Sequence, residues 1–460
     1  MAIVMKFGGT SVGDGRSFSA AAAIVGSAAK KDRVCVVVSA MAGVTDALLG
    51  AAGAAGGMKD EDIVAFTREL QEKHLRAARI CCKKRLPEVQ DAIEERIKEL
   101  QKDMAKVRDT GLTEHFRDRI AAFGEKMSAA ILSGAISEHV PSEWHHGDRG
   151  LIIVDENFIG PEPDMEATEK EVKRKVLPQM KKGIVPVVTG FMGCTHDGHT
   201  VTLGRGSSDH IASIIGACLG ASEIQIWTDV DGFLSADPKI VKGSMLIPKL
   251  SFAEASELAY FGAKVLHPKT LMPAIQKGIP VRILNTHNPG SAGTLITKET
   301  GSLPEVVKSI TSKKGVVLVN LVSARMLAAP GFLSKTFETF SRRGISIDMV
   351  STTEVSITLT IDGRMNGRLD PVIKELAKMA EVKVEGGKSI VCVVGEGMKL
   401  AAGTAGRVFH CLGEKGINVE CISQGASKIN ISFIVEDKDA DAAVRALHNE
   451  FFGVHGGRAA

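Results

Sequence analysis

Lys6 to Ser11 reads K-F-G-G-T-S directly after the apolar run Ile3-Val4-Met5. A lysine that closes a buried strand, followed by two glycines opening a turn toward a helix, offers one positive charge and bare backbone N–H groups. Those are the donors a phosphate needs. The lysine precedes the glycines, which separates this pattern from G-x-x-x-x-G-K-[ST] and from G-x-G-x-x-G. Four further clusters lie downstream. Val38 to Asp46 reads V-S-A-M-A-G-V-T-D, Phe123-Gly124-Glu125 puts a carboxylate at a helix start, Gly204 to Asp209 reads G-R-G-S-S-D, and Thr228 to Phe233 reads T-D-V-D-G-F.

Phosphoryl transfer asks for these residue types: cations and N–H groups around the moving group, and anions and hydroxyls to hold the metal and the acceptor. Lys6 suits a transferring phosphate. Arg205 suits a carboxylate, because its fork grips both oxygens, and Glu125 suits an ammonium. Arg205 and Glu125 together describe a receptor for an amino-acid zwitterion.

The elements that must position these groups alternate. Val34–Ser39, Gly183–Thr189, Ser222–Thr228 and Ile279–Leu284 read as buried strands, although Pro186 is unexpected in a central one. Helical periodicity covers 16–30, 61–80, 88–107, 117–135, 166–181 and 208–220. The charge-dense stretch Arg85 to Arg108 reads as a solvated helical face. Strand and helix in alternation predict an α/β domain with a largely parallel sheet over the first ~295 residues. In such sheets ligands bind beyond the carboxyl ends of the strands.

From about residue 305 a repeat appears. Phe337 and Phe409, Gly344 and Gly416, Ile345 and Ile417, and Ser351 and Ser423 correspond at an offset of 72, and two extra residues then bring Ile357 onto Ile431. Each copy reads as amphipathic helix, glycine C-cap, alternating strand, turn and second strand, with helices following at about 370–380 and 438–450. Two ferredoxin-like β-α-β-β-α-β modules are predicted. Open sheet edges suit them to pairing and to trapping a small ligand.

The 460 residues are 44% apolar and 24% charged, with 48 glycines, 4% aromatics and a net charge of +3. So even a balance points away from nucleic acid. Eight cysteines, none in C-x-x-C spacing, read as buried thiols of a reducing compartment. No apolar run reaches the ~18 residues of a membrane helix, and no charged leader precedes the first strand. A cytoplasmic protein is expected.

The five clusters in this order, with K-V-L-H-P at 264–268 and the C-terminal repeat, resemble the aspartokinases over nearly the whole chain. The resemblance implies an α/β amino-acid-kinase fold, a largely parallel sheet sandwiched by helices, over 1–298. Two ferredoxin-like ACT domains follow, the first at 315–386 and the second built from 304–312 plus 387–456. It implies Mg-ATP as phosphoryl donor, L-aspartate as acceptor and 4-phospho-L-aspartate as product, at the head of lysine, threonine and methionine synthesis.

The roles implied by the resemblance fall on matching positions. Lys6 stabilises the phosphoryl in flight, and Asp209 organises Lys6 and the reacting centre. Ser39, Thr45, Glu125, Arg205 and Ser208 contact the substrate, with Glu125 on its α-ammonium and Arg205 on its α-carboxylate. Lys6, Gly8, Gly9, Thr228, Asp229, Leu234, Lys239 and Lys264 serve the nucleotide. No resident metal site is implied beyond Mg2+ brought with ATP. Ser207 stands where the family has a second glycine, which raises the question of its backbone angle, and Leu234 replaces an aromatic of the nucleotide loop.

Met326, Ala329, Gly331, Phe332, Leu333, Ser346, Ile347, Asp348, Thr353 and Glu354 match the effector site of the lysine-sensitive, monofunctional class. Asp348 or Glu354 is then the acceptor for an effector ammonium, and the Gly331–Leu333 backbone holds its carboxylate. Ala329 in place of a serine leaves lysine and threonine both open as effector. The strand Val306–Thr311 is expected to join the second ACT unit, and ACT pairing implies a homodimer or a dimer of dimers. With the chain ending at Ala460, no fused homoserine dehydrogenase is expected. A kinase of another amino acid and a non-catalytic amino-acid sensor are the alternative functions.

Overall fold

A computed structural model describes residues 1–157, 160–204, 206–261, 268–298, 305–327 and 330–453. The chain forms two units. The first comprises Met1–Phe233, Pro248–Phe252 and Val265–Glu299, and the second Leu234–Ile247, Ala253–Lys264 and Thr300–Ala460. Leu234–Ile247 and all but the first residue of the helix Phe252–Phe261 thus cluster with the C-terminal unit, although sequence order puts them inside 1–298.

Among the described residues of the first unit, eight strands form one sheet. Their order is Ser142–His145, Val185–Thr189, Arg33–Val38, Ala2–Phe7, Glu223–Thr228, Val281–Asn285, Thr294–Thr297 and Lys249–Ser251. Every pairing is parallel except Val281–Asn285 with Thr294–Thr297. Ala2–Phe7 is buried at all six positions, as a strand covered on both faces must be. Pro186 is tolerated because the ladder to the central strand Arg33–Val38 starts one residue later, at Val187.

The helix Phe123–Ile136 is buried along all 14 residues. Its glycines permit this. A Cβ on Gly124 would lie 2.7 Å from that of Ala40, and one on Gly134 would lie 2.7 Å from Cys82 Sγ. The stretch expected as one helix over 117–135 is two, Glu114–Ala121 and Phe123–Ile136, and 166–181 likewise divides into Met165–Lys175 and Leu177–Lys181. In the second case Pro178 cannot donate to the preceding turn. Leu86–Thr110 is solvated on one face only. Its other face buries Val89, Ile93, Ile97, Leu100, Met104 and Val107.

In the second unit six antiparallel strands form one sheet, in the order Ile347–Thr352, Ser356–Asp362, Ser309–Val322, Glu381–Val394, Asn430–Glu436, Cys421–Ser423. The two central strands are 14 residues each and run through both repeats. Ser309–Lys313 pairs with Ile390–Val394, and beyond a register shift Val316–Val322 pairs with Ser356–Asp362. Each repeat helix ends alike. Gly344 (φ 63°) and Gly416 (φ 66°) turn left-handed while Ile345 and Ile417 N–H groups reach back to Phe340 and Leu412 carbonyls. Each repeat has its own core, one around Phe340, Leu359 and Leu376 and one around Leu412, Phe433 and Leu447. No helix among the described residues is long and apolar enough to cross a membrane.

Candidate active site

The parallel strands bring their carboxyl ends to one edge in register: Phe7 lies beside Val38 and Trp227, and Val38 beside Thr189. Chemistry-bearing residues therefore collect there. Gly8 N–H donates to the Trp227 carbonyl (3.1 Å) and Ser39 N–H to the Phe7 carbonyl (3.1 Å). The glycine turn is thus held between the Ser39 loop on one side and the Thr228 loop on the other. A Cβ on Gly9 would approach the Ala40 carbonyl to 3.0 Å, and one on Gly8 would stand 3.6 Å from Lys6 Nζ. Side chains here would fill the cradle a phosphate needs.

Lys6 Nζ lies 2.6 Å from Asp209 Oδ1, with both side chains about nine-tenths buried. Asp209 is in the first turn of Ser207–Leu219, where the helix dipole favours its charge. The left-handed positions of G-R-G-S-S-D fall on Gly204 (φ 82°) and Gly206 (φ 75°). Ser207 begins the helix and needs no glycine, which answers the question its sequence raises.

A cavity of about 330 Å³ joins Lys6, Gly9, Ser39, Thr45, Glu125 and Ser208, with Asp46, Phe191 and Ser207 among its other walls. Glu125 is buried; it accepts a hydrogen bond from the Ala40 backbone, while its Oε2 meets no partner among the described residues. Burial pushes its carboxyl up to about 8. A carboxyl buried without a cation beside it is held in its neutral form near pH 7.

Thr228 and Asp229 lie at the next strand end, joined by a 3.1 Å hydroxyl–carboxylate bond. Their loop is held by Asp231, which accepts from Asn285 (3.0 Å) and Asn288 (3.1 Å). Leu234 and Lys239 fall in the second unit, where Asp237 accepts from the Lys239 N–H (2.8 Å). Arg205, Lys264 and Ala329 lie outside the described residues.

Two features of the site escaped the sequence. Phe191 follows Val185–Thr189 with φ 67°, and the Met192 N–H closes onto the Gly190 carbonyl across it (2.8 Å). Gly190 must be glycine, because a Cβ there would meet Ser208 Oγ at 2.4 Å. The run G-F-M-G at a strand end was the available signal. The second feature is a buried pair beside Glu125. Lys126 Nζ lies 2.6 Å from Asp148 Oδ2, the two side chains being 4% and 3% exposed, and Asp148 also accepts from Thr200 (2.8 Å). Asp118 in turn takes the Thr202 N–H and hydroxyl, both at 2.8 Å. These carboxylates hold the hairpin Met192–Cys194/Thr200–Thr202. Lys126→Met leaves Asp148 buried and unpaired, so a loss on the order of 3–5 kcal/mol is expected, readable by denaturant unfolding. An unchanged midpoint would show that the pair contributes nothing.

In the second unit Met326, Phe332 and Ile347 pack on the first-repeat core. Gly331 (φ 87°) precedes the helix Phe332–Ser341, which Phe332 and Leu333 begin. Ser346 is exposed just before the strand Ile347–Thr352. Asp348 is paired with Lys313 (2.5 Å), and Thr353 and Glu354 are exposed in the turn that follows.

Residues 1–285 match the amino acid kinase family, and 319–365 with 391–451 match the ACT domain. The chain is 39% identical to chloroplastic aspartokinase 3 of Arabidopsis thaliana over 98% of its own length and 81% of that protein's. Among solved structures, E. coli aspartokinase III in complex with aspartate and ADP (R-state) superposes with a TM-score of 0.82 at 32% identity, covering 98% of this chain and all of that one. The same enzyme in complex with lysine and aspartate (T-state) gives 0.82 and 32%, covering 98% and 99%.

Proposed function

Because the chain belongs to the amino acid kinase family as an aspartokinase, an allosterically regulated enzyme that phosphorylates aspartate with ATP, we infer that Lys6, Asp209, Glu125 and Arg205 carry the transfer and that lysine is the effector. One observation supports the residue assignment above others: Lys6, paired with Asp209, and the buried Glu125 carboxyl border a single cavity.

The aspartate side-chain carboxylate is ionised near neutral pH, so it attacks the γ-phosphorus without a general base. The new O–P bond forms as the bond to the ADP oxygen breaks. Lys6 neutralises charge on the phosphoryl oxygens during that exchange, and Asp209 keeps Lys6 in place. Glu125 takes the α-ammonium and Arg205 the α-carboxylate, fixing the side-chain carboxylate as the reacting end. Ser39, Thr45 and Ser208 line the acceptor side. Gly8, Gly9, Thr228, Asp229, Leu234, Lys239 and Lys264 serve the nucleotide. Among the described residues no cluster of three or more His, Cys, Asp or Glu is arranged for a metal. Mg2+ would be held chiefly by the nucleotide phosphates, whose charge it would neutralise, with Asp229 as the carboxylate that would reach it.

The first ACT unit, 315–386, is the effector unit in this reading, and 304–312 with 387–456 the second. Lysine is favoured over threonine because the T-state relative binds lysine; Asp348 and Glu354 are acids suited to the ammonium of either. Homodimerisation through the ACT units and a cytoplasmic location complete the reading. The eight free thiols, seven of them buried, support a reducing compartment.

The test is ADP formation from Mg-ATP with L-aspartate, with hydroxylamine trapping the acyl phosphate, in the presence and absence of lysine or threonine. A hydroxamate that requires L-aspartate, and that lysine suppresses, is expected. Suppression by threonine alone would overturn the effector assignment, and turnover of L-glutamate in preference to L-aspartate would overturn the assigned acceptor pocket.

A further inference from the structure

Each repeat of the second unit contains a lysine clamped between two acids. In the first, Lys313 Nζ lies 2.5 Å from Asp348 and 3.8 Å from Asp362. In the second, Lys388 Nζ lies 2.6 Å from Glu420 and 2.7 Å from Glu436, with Glu385 at 3.4 Å. Asp348 corresponds to Glu420, and Asp362 to Glu436, at the offsets of 72 and 74 that relate the two sequence copies. The acids of the clamp therefore recur with the repeat, whereas the lysines, 75 positions apart, do not fall on those offsets.

The first copy has an addition. The Tyr260 hydroxyl donates to Asp348 Oδ1 at 2.8 Å, and its ring centroid stands 5.6 Å from Lys313 Nζ. Tyr260 is the single tyrosine of the chain. It lies near the end of the helix Phe252–Phe261, which also presents Glu254 and Glu257 at three-residue spacing, on one face. Glu254 pairs with Lys308 (2.9 Å) and accepts from the Glu396 N–H (2.7 Å); Glu257 accepts from Asn430 (2.7 Å). At its other end the helix follows directly on Lys249–Ser251, the edge strand of the catalytic sheet. The helix that carries Tyr260 thus follows the edge strand directly in sequence.

We propose that Tyr260 transmits effector occupancy, by giving up its hydrogen bond to Asp348 when an amino-acid ammonium binds there. The proposal rests on the reading of Asp348 as the ammonium acceptor. Both oxygens of Asp348 are engaged, Oδ2 by Lys313 and Oδ1 by Tyr260. An incoming ammonium competes with both donors for those oxygens. Lys313 is a full charge with a second acid, Asp362, behind it, whereas the phenol is neutral and makes one bond. The phenol is the partner that leaves, and the end of the helix then loses its tie to Asp348. Occupancy and helix position become coupled, and coupling of this kind is reciprocal.

The experiment uses the full chain as wild type, Tyr260→Phe and Asp348→Asn, with calorimetric lysine binding beside lysine inhibition of hydroxamate formation. Tyr260→Phe should keep basal kcat within about twofold. It should bind lysine as tightly as wild type or up to about tenfold more tightly, since a competing donor is gone. Its inhibition at saturating lysine should be several-fold shallower. Asp348→Asn should weaken lysine binding by at least tenfold. In wild type the single phenol should give a difference-absorption signal on lysine binding that Tyr260→Phe lacks. Inhibition of Tyr260→Phe to wild-type depth would overturn the proposal and leave the effector site standing. Wild-type lysine affinity in Asp348→Asn would overturn the effector-site reading itself, and the proposal with it.

Discussion

Lys6→Ala should lower kcat about 1,000-fold, the scale set by removing one preorganised charge from a phosphoryl-transfer centre. The expectation follows from position. Lys6 is one residue short of the end of a fully buried central strand, beside the two glycines whose missing side chains open the cradle. Its ammonium is paired with Asp209 in a place where both are largely shielded from water. Loss of the lysine leaves Asp209 without its cation, but the carboxylate stays in the first turn of a helix that favours negative charge. The fold should therefore survive, which a thermal melt checks. Asp209→Asn should also slow turnover, and the double variant should lose much less than the two single losses multiplied, because the residues act as one unit. Turnover of Lys6→Ala within tenfold of wild type would remove Lys6 from the reacting centre.

Glu125→Gln should raise the KM for aspartate about 100-fold, as expected when a buried charge-assisted contact to an ammonium is lost. Its effect on kcat should be smaller, since the ammonium is bound alike before and during transfer. The same residue predicts a pH dependence. Burial holds its carboxyl near 8, against 4.5 when exposed. Binding an ammonium requires the ionised form, so wild-type kcat/KM for aspartate should climb as pH rises toward 8, with a proton released on binding. In Glu125→Gln that slope should vanish.

Stability moves in the opposite sense. Between 4.5 and about 8 the native chain holds a proton that the unfolded chain has lost, so this group makes the protein less stable as pH rises across that window. Glu125→Gln should accordingly melt higher than wild type at pH 8 and match it below pH 4.5. Identical melting curves at both ends would show that the carboxyl is not held in its neutral form.

Lys6, Ser39, Glu125, Ser208 and Thr228 were readable because each sits at a strand end or helix start. Such positions are marked in one dimension, by an apolar run that stops and by glycines and small hydroxyls that follow. The repeat was legible for the same reason, since glycine caps and alternating strands recur at fixed offsets. What depends on partners distant in sequence was not legible. Phe191 escaped because its left-handed backbone belongs to a turn closed by Met192 onto Gly190, and Gly190 itself packs against Ser208, a residue that meets it only across the site. Lys126 and Asp148 read as ordinary charges, and only burial of the whole helix Phe123–Ile136 turns them into a pair.

The sequence by itself determined the parallel sheet, the glycine turn at the end of its central strand and the doubled C-terminal module, because local periodicity and turn chemistry act over a few residues. Tertiary structure alone decided that Leu234–Ile247 and nearly all of the helix Phe252–Phe261 cluster with the second unit. It also decided that Asp348 meets Lys313 and Tyr260, 35 and 88 residues away. Ion pairs and buried hydroxyls take their energy from how completely packing removes water around them, and no spacing along the chain encodes that.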